Sequence, residues 1–327
     1  MPVTVGTFNL NNLFSRFDFE GVAEGAHVGD PTATIESQTE FKFDQPGSFV
    51  LREFKGKLVK GKPDAERAKL VERIKHMDLH VLAVQEVEDV NTLKRFNLDD
   101  LDGQYDDVVL VEGNDPRLID VGVLSNLPIG RVTSWQHIPD PQPDAAGERL
   151  FSRDLLEVQI LDPDGGGPLL TLFVNHLKSR LVPFGADPAV ETPKNNHKRQ
   201  RQATGAAEII AAEMRPDSRF VVLGDMNDGP DSEFLAPLVA SDTLGLVNGL
   251  EHAQESQPAP HEDPPAPTTL WTERFKPAGQ PAEHNLFDQI WLSPALADKL
   301  TSASIDRRKH LGGDGSDHDP ATVTLDL

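Results

Sequence analysis

Six short motifs share one property: each is an apolar, strand-like run that ends in polar residues. They are "TFNLNN" with Asn9 and Asn11, "VLAVQEVED" with Glu86, "LFVNHLKSR" with His176, "VVLGDMND" with Asp225 and Asn227, "FDQIWLS" with Asp288, and "DGSDHDP" with Asp317 and His318. A buried strand that terminates in Asp, Glu, Asn or His places that group at the rim of a sheet, where ligands of α/β folds commonly bind. Singly, each motif has an ordinary structural explanation. Glu86 and Asp288 could cap strand ends, "GDMND" has a turn composition, His176 could be a hydrogen-bonded core histidine, and Asn9 and Asn11 could begin a turn. "SDHDP" resists such a reading, because three ionisable groups in four residues ahead of a strand serve no packing purpose.

Taken together the motifs have one economical explanation. Three or four carboxylates in a chain without cysteine make a hard, all-oxygen site, suited to Mg²⁺ or Mn²⁺ rather than Zn²⁺. Two histidines and two or three asparagines add acid–base groups and neutral donors. Cleavage of a phosphodiester needs this set: a cation to neutralise non-bridging oxygens, an activated water, and help for the leaving oxygen.

The elements that must position these groups are also legible. Strand-like runs of Val, Ile, Leu and Phe fall at Val3–Leu10, Val81–Val87, Asp107–Val111, Val121–Ser125, Leu155–Leu161, Leu169–Asn175, Phe220–Asp225, Asp288–Leu292 and Ala321–Leu327. Helical spacing predicts helices over Asp64–Met77, Asn196–Met214 and Ser232–Ala240. Several strands follow one another directly, which predicts a mixed sheet system rather than a purely parallel one. Three stretches read as loop excursions: Ser15–Lys62, with a hairpin expected around Gln45–Ser48; Leu181–Asn195; and the Pro-rich Glu251–Ala282. None has the composition of a separate core, so residues 1–327 are expected to form a single domain.

Composition narrows the function classes. With 38% hydrophobic and 26% charged residues, the chain is that of a globular protein. No apolar run approaches the ~20 residues needed to span a bilayer, and the N-terminus lacks the pattern of a signal peptide. No membrane insertion and a cytoplasmic location are therefore expected. The absence of cysteine excludes disulfides, thiolate metal sites and a cysteine nucleophile. A formal net charge of -22 argues against tight, non-specific wrapping of nucleic acid, which depends on Lys and Arg contacts to phosphates.

The ordered series "FNLNN…VQEV…NHLKSR…GDMND…FDQIWLS…SDHDP", spread from residue 9 to residue 320, resembles the endonuclease/exonuclease/phosphatase superfamily. That group includes pancreatic-type deoxyribonucleases, abasic-site endonucleases, neutral sphingomyelinases and inositol-phosphate phosphatases. The resemblance implies a four-layer α/β sandwich, two packed mixed β-sheets flanked by helices, with the active site at one end of the paired sheets. It implies that Glu86 is the principal metal ligand, with Asn11 and Asp317 beside it, and that Asn9 helps hold the site together. Asp225 matches the group that orients or deprotonates the attacking water. Asn227 and His176 match phosphate-oxygen donors, Arg153 matches an arginine near the phosphate, and His318 matches a catalytic histidine held by Asp288. Some abasic-site enzymes carry a carboxylate where this chain has Asn11 and a tyrosine where it has His176. The histidine is closer to the deoxyribonuclease and sphingomyelinase branches.

The expected function is hydrolysis of a phosphodiester by activated water with Mg²⁺ or Mn²⁺, with DNA or RNA favoured as substrate. Lys178, Arg180, Lys194, Lys198, Arg199 and Arg201 cluster after His176 in an otherwise acidic chain and could form a positive rim for a backbone; the competing reading is a solvated helix face. The alternatives are a phospholipid or small phosphomonoester hydrolase on the same site, which the acidic charge suits, and a non-catalytic binding module, which the complete set of carboxylates and histidines disfavours.

Overall fold

The structure is a computed structural model that describes residues 1–15, 61–144, 146–182, 185–215, 217–277 and 279–327. The hairpin expected around Gln45–Ser48, and all but the ends of the Ser15–Lys62 excursion, lie outside the described residues. In chain order the strands are β1 (Pro2–Leu13), β2 (Val81–Val87), β3 (Asp107–Leu110), β4 (Asp120–Ser125), β5 (Ile129–Ser134), β6 (Leu155–Leu161), β7 (Pro168–His176), β8 (Phe220–Asp225), β9 (Val247–Asn248), β10 (Gln254–Glu255), β11 (Glu273–Phe275), β12 (Glu283–Asn285), β13 (Asp288–Leu292), β14 (Leu300–Ile305) and β15 (Ala321–Asp326). The helices are α1 (Asp64–Met77), α2 (Val90–Arg95), α3 (Pro188–Glu213), α4 (Ala236–Val239) and α5 (Pro294–Ala297). A π-helical turn over Phe96–Asp100 follows α2.

Two mixed sheets dominate. The first has the order β10-β14-β15-β1-β2-β4-β3 and the second β5-β6-β7-β8-β13-β9, while β11 and β12 form a separate hairpin. The runs of consecutive apolar residues explain the layering, because such strands bury both faces. In β2, Val81 and Ala83 enter the core between the sheets, where Val158, Leu172, Val174, Leu223 and Ile290 meet them from the second sheet. Leu82 and Val84, one residue out of phase, pack outward against Leu70 and Ile74 of α1. On the far side, Phe173, Val222 and Trp291 pack against Ala203, Ala206 and Ile210 of α3. Helix, sheet, sheet and helix are thus the four layers, as the sequence led us to expect.

Three local expectations need correction. Helix α3 begins at Pro188 rather than Asn196, so the second half of the Leu181–Asn195 stretch is helical. Asp187 caps it, its side chain accepting from the Ala189 amide, and Pro188 takes the first helical turn, where its missing N–H has no partner to lose. The prolines that suggested a loop therefore mark a helix start, and only Pro193 sits against the grain. The helix over Ser232–Ala240 shrinks to α4, preceded by turns in which the Ser232 carbonyl accepts from Leu235 and Ala236. The Glu251–Ala282 stretch holds β10, β11 and the buried Trp271. The strands β5 and β14 were not expected. β5 carries exposed residues at a sheet edge and β14 is Ser/Thr-rich, so neither shows an apolar run.

Candidate active site

Backbone register brings the chemistry together. In the second sheet, Asp225 ends β8, with His176 of β7 directly beside it and Asp288 of β13 on its other side. Gly224 makes this possible. Its φ is +132°, and a Cβ there would lie 2.0 Å from the Asn175 carbonyl oxygen of β7, so only glycine lets the two strand ends close. In the first sheet, Asn9 of β1 pairs with Gln85 of β2, and β1 also pairs with β15. The register then shifts between Gln85 and Val87, and Glu86 takes φ +61°. This bulge turns Glu86 out of the ladder. Asn11 (φ +46°) and Asn227 (φ +53°) share the left-handed conformation, which asparagine tolerates far better than glutamate. Local strain of this kind collects at functional sites.

The loop before β15 supplies the last two groups. Asp317 is exposed and His318 buried, as adjacent residues facing opposite ways require. Ser316 fixes the loop: its hydroxyl donates to the Asn9 carbonyl at 2.7 Å and accepts from the His318 amide at 3.0 Å. Below it Asp319, fully buried, is held by Arg73 (3.1 Å), Arg307 (3.0 Å) and Arg308 (3.0 Å). Arg308 also donates to the Asp317 carbonyl and Arg73 to the His318 carbonyl. Sequence reasoning did not assign these arginines or Ser316 a part. The arginines come from distant segments, and only the fold shows that they meet.

His318 Nδ1 lies 2.6 Å from Asp288 Oδ2, and its Nε2 lies 3.9 Å from Asp225 Oδ2. Asp225 accepts from the Asn9 carboxamide (3.0 Å) and the Asn227 amide (2.9 Å). His176 Nε2 stands 3.6 Å from Asp225 and 3.9 Å from Glu86. Asn227 donates its side-chain amide to the Leu177 carbonyl, which Arg153 also reaches. Arg153 lies 3.1 Å from Asp115. Burial opposes charge on His318, but the carboxylates of Asp288 and Asp225 outweigh it and hold the imidazole well above its ordinary value. Burial pushes Asp225 up to about 7, opposed by His318 and assisted by Asp288. Burial, with the nearby Arg153, His318 and Arg117, holds His176 well below its ordinary value. One histidine is thus poised as a cation and the other as a neutral ring, with a carboxylate of near-neutral pKa between them.

The expected metal donors lie at the outer edge of this group. Asn11 Nδ2 donates to Asp317 Oδ1 at 2.8 Å, and Glu86 accepts from the Asn12 amide at 3.1 Å. Lys62 Nζ reaches the Asn11 carbonyl at 2.6 Å; burial lowers its pKa, and the charges of Asp317, Glu66 and Glu86 act against that. These carboxylates therefore already draw a cation to this place. Among the described residues no three His, Cys, Asp or Glu side chains are grouped to hold an ion unaided. The donor set fits a hard divalent ion that keeps water or substrate oxygens in its shell.

The basic rim after His176 is not what forms. Lys198 is buried, with its Nζ on Asp140 (2.6 Å), Glu148 (2.8 Å) and the Arg149 carbonyl (2.7 Å). Arg199 is buried against Asp228 at 2.8 Å, Arg180 pairs with the same carboxylate, and Arg201 pairs with Asp140 at 3.0 Å. The spacing that suggested a charged face instead serves ion pairs under α3; Lys194 is exposed.

The sequence pattern described as the Endonuclease/Exonuclease/phosphatase family matches residues 6–318. The chain belongs to the Endonuclease/Exonuclease/phosphatase family. Members of this family are phosphoric ester hydrolases, generally dependent on divalent metals, and the chain is an enzyme of that class. No curated protein matches the sequence as a relative. Among solved structures, a family protein from Bacteroides vulgatus has 15% identity and a TM-score of 0.58, covering 100% of this chain and 99% of its own. A humanized D. rerio TDP2 has 14% identity and a TM-score of 0.56, with coverages of 100% and 99%. A Bacteroides thetaiotaomicron mannosyl-6-phosphatase has 12% identity and a TM-score of 0.56, with coverages of 99% and 100%. These likenesses establish the shared fold. Among the described residues no helix is long and apolar enough to cross a membrane.

Proposed function

We propose that this protein is a phosphodiesterase that uses activated water and Mg²⁺ or Mn²⁺, and that its substrate is nucleic acid, DNA or RNA. The observation that carries the reading is the buried contact of 2.6 Å between Asp288 and His318, set against Asp225. Asp288 keeps the His318 imidazolium charged and oriented, so its Nε2–H can donate to a phosphate oxygen. Asp225, with a pKa of about 7, is suited to take a proton from the attacking water near neutrality, while Asn9 and Asn227 fix its two oxygens. Neutral His176, Asn227 and Arg153 bind non-bridging oxygens. Glu86, Asp317 and Asn11 would hold the metal, which when bound neutralises phosphate charge and lowers the pKa of water. We read residues 1–327 as one domain, because the two sheets share one core.

The ion-paired state of Lys198, Arg199 and Arg201 favours a second reading, a small phosphomonoester hydrolase, since it removes much of the expected backbone rim. A panel decides between them: plasmid, single-stranded DNA, RNA, bis-p-nitrophenyl phosphate and a sugar phosphate, each with Mg²⁺ or Mn²⁺ and each with EDTA. Cleavage of diesters that vanishes in chelator is expected. Full activity in chelator, with metal absence confirmed by elemental analysis, sinks the metal assignment; cleavage of the monoester alone sinks the diesterase.

A further inference from the structure

The Asp288–His318 contact joins two segments 30 positions apart in the chain, and little in the side chains themselves fixes it. Asp288 Oδ2 faces His318, while its Oδ1 is buried and has no hydrogen-bond partner among the described residues. The terminal torsion of a carboxylate is broad, so one held through a single oxygen takes its place from the backbone beneath it. At that point β13 is open on one edge, because β9 pairs with it only at Trp291 and Leu292. The amides of Phe287 and Asp288 find their acceptor elsewhere. Both donate to the hydroxyl of Thr272, at 3.1 Å and 2.9 Å.

Thr272 immediately precedes β11 and is fully buried. Its main-chain groups reach different segments. Its amide donates to the Asn285 carbonyl at the end of β12 (2.8 Å), and its carbonyl accepts from the Asp319 amide at 2.6 Å and from Arg308 Nη2 at 3.2 Å. The next residue, Glu273, forms a β-bridge with His318. One residue thus holds the strand that starts with Asp288 by its side chain, and the turn that carries His318 by its main chain. It is itself braced. The ring of Trp271, just before it, lies 3.9 Å from the guanidinium of Arg307, which also pairs with Asp319. Burial at this position would suit valine; the two amides are what require an acceptor.

We propose that Thr272 is the positioning residue of the Asp288–His318 pair, its hydroxyl and its carbonyl together setting the distance between the two side chains. The effect on turnover rests on the phosphodiesterase reading; the effect on the contact does not.

Three substitutions separate these claims. Thr272→Val removes the acceptor and keeps the shape, Thr272→Ala removes it with less crowding, and Thr272→Ser keeps it. The proton in the 2.6 Å contact between His318 Nδ1 and Asp288 Oδ2 should give a low-field magnetic resonance, assigned by its loss in His318→Ala. In metal-free protein that resonance should persist in Thr272→Ser and vanish in Thr272→Val and Thr272→Ala. Its survival in either variant without the hydroxyl overturns the proposal, and having two such variants guards against one that does not fold. With Mn²⁺ and bis-p-nitrophenyl phosphate, Thr272→Val should lower kcat about 100-fold, the cost of an ångström-scale misplacement, at unchanged KM. Thr272→Ser should keep most of the wild-type kcat. Equal losses in the serine and valine variants, or a loss confined to KM, also overturn it. A resonance that follows the hydroxyl in a protein that cleaves no phosphate ester would leave the positioning role standing and refute the phosphodiesterase reading.

Discussion

Burial alone would strip the charge from both site histidines, yet His176 and His318 end in opposite states. The difference is Asp288, which touches one and not the other. General acid–base help is worth about 100- to 10,000-fold in rate, and His318→Ala should cost within that range. Asp288→Asn should cost a good part of it, and the double mutant little more than His318→Ala alone, because the two act as a unit. Losses that multiply would break the pairing. The pH profile carries the same argument. Asp225 must be ionised to accept a proton, so the rate should rise as pH passes through about 7. It should fall only when the raised pKa of His318 is passed, and Asp288→Asn should move that descending limb to lower pH.

At the scale of elements, the site depends on how closely strand ends approach. Gly224→Ala puts a methyl group onto the Asn175 carbonyl and holds alanine at φ +132°. It should destabilise by at least ~2 kcal/mol, read as a lower urea midpoint with an unchanged slope; an unchanged midpoint would show that the strands can part without loss. The sequence carried much of this level. The apolar runs that end at His176, Asp225 and Asp288 are visible as runs, and so is the polar residue that closes each. What it could not carry is register: nothing in "VLAVQEVED" says that Glu86 leaves the ladder in a left-handed bulge. Arg153 was legible only through the family resemblance, Asp115 lies in the unremarked segment "GNDPRL", and their meeting is purely tertiary. Lys198 and Arg199 misled for the opposite reason. Charge spacing along a helix does not tell whether that face meets water or a buried aspartate.

Across the whole molecule, that buried charge under α3 ties the helix layer to the segment between β5 and β6. Lys198→Ala would leave Asp140, whose side chain is wholly buried, with Arg201 as its remaining cation. Breaking a buried pair costs about 3–5 kcal/mol, so denaturant unfolding should show a loss toward that size. The salt dependence of substrate cleavage should stay as it was; a flatter dependence would restore Lys198 to the substrate rim. The pairing of β1 with β15 reaches further. Ser316 meets Asn9 across 307 positions of sequence, so the site exists only once the two extremes of the sandwich have found each other. Closing such a loop costs about 5 kcal/mol in chain entropy, a penalty that grows only logarithmically with length. Its weight falls on time rather than on stability, because distant pairings form slowly. Refolding should therefore bury Trp291 against α3 before any activity returns, and a single shared rate for both would refute it. Catalysis in this fold is a signal that the chain has closed its circle.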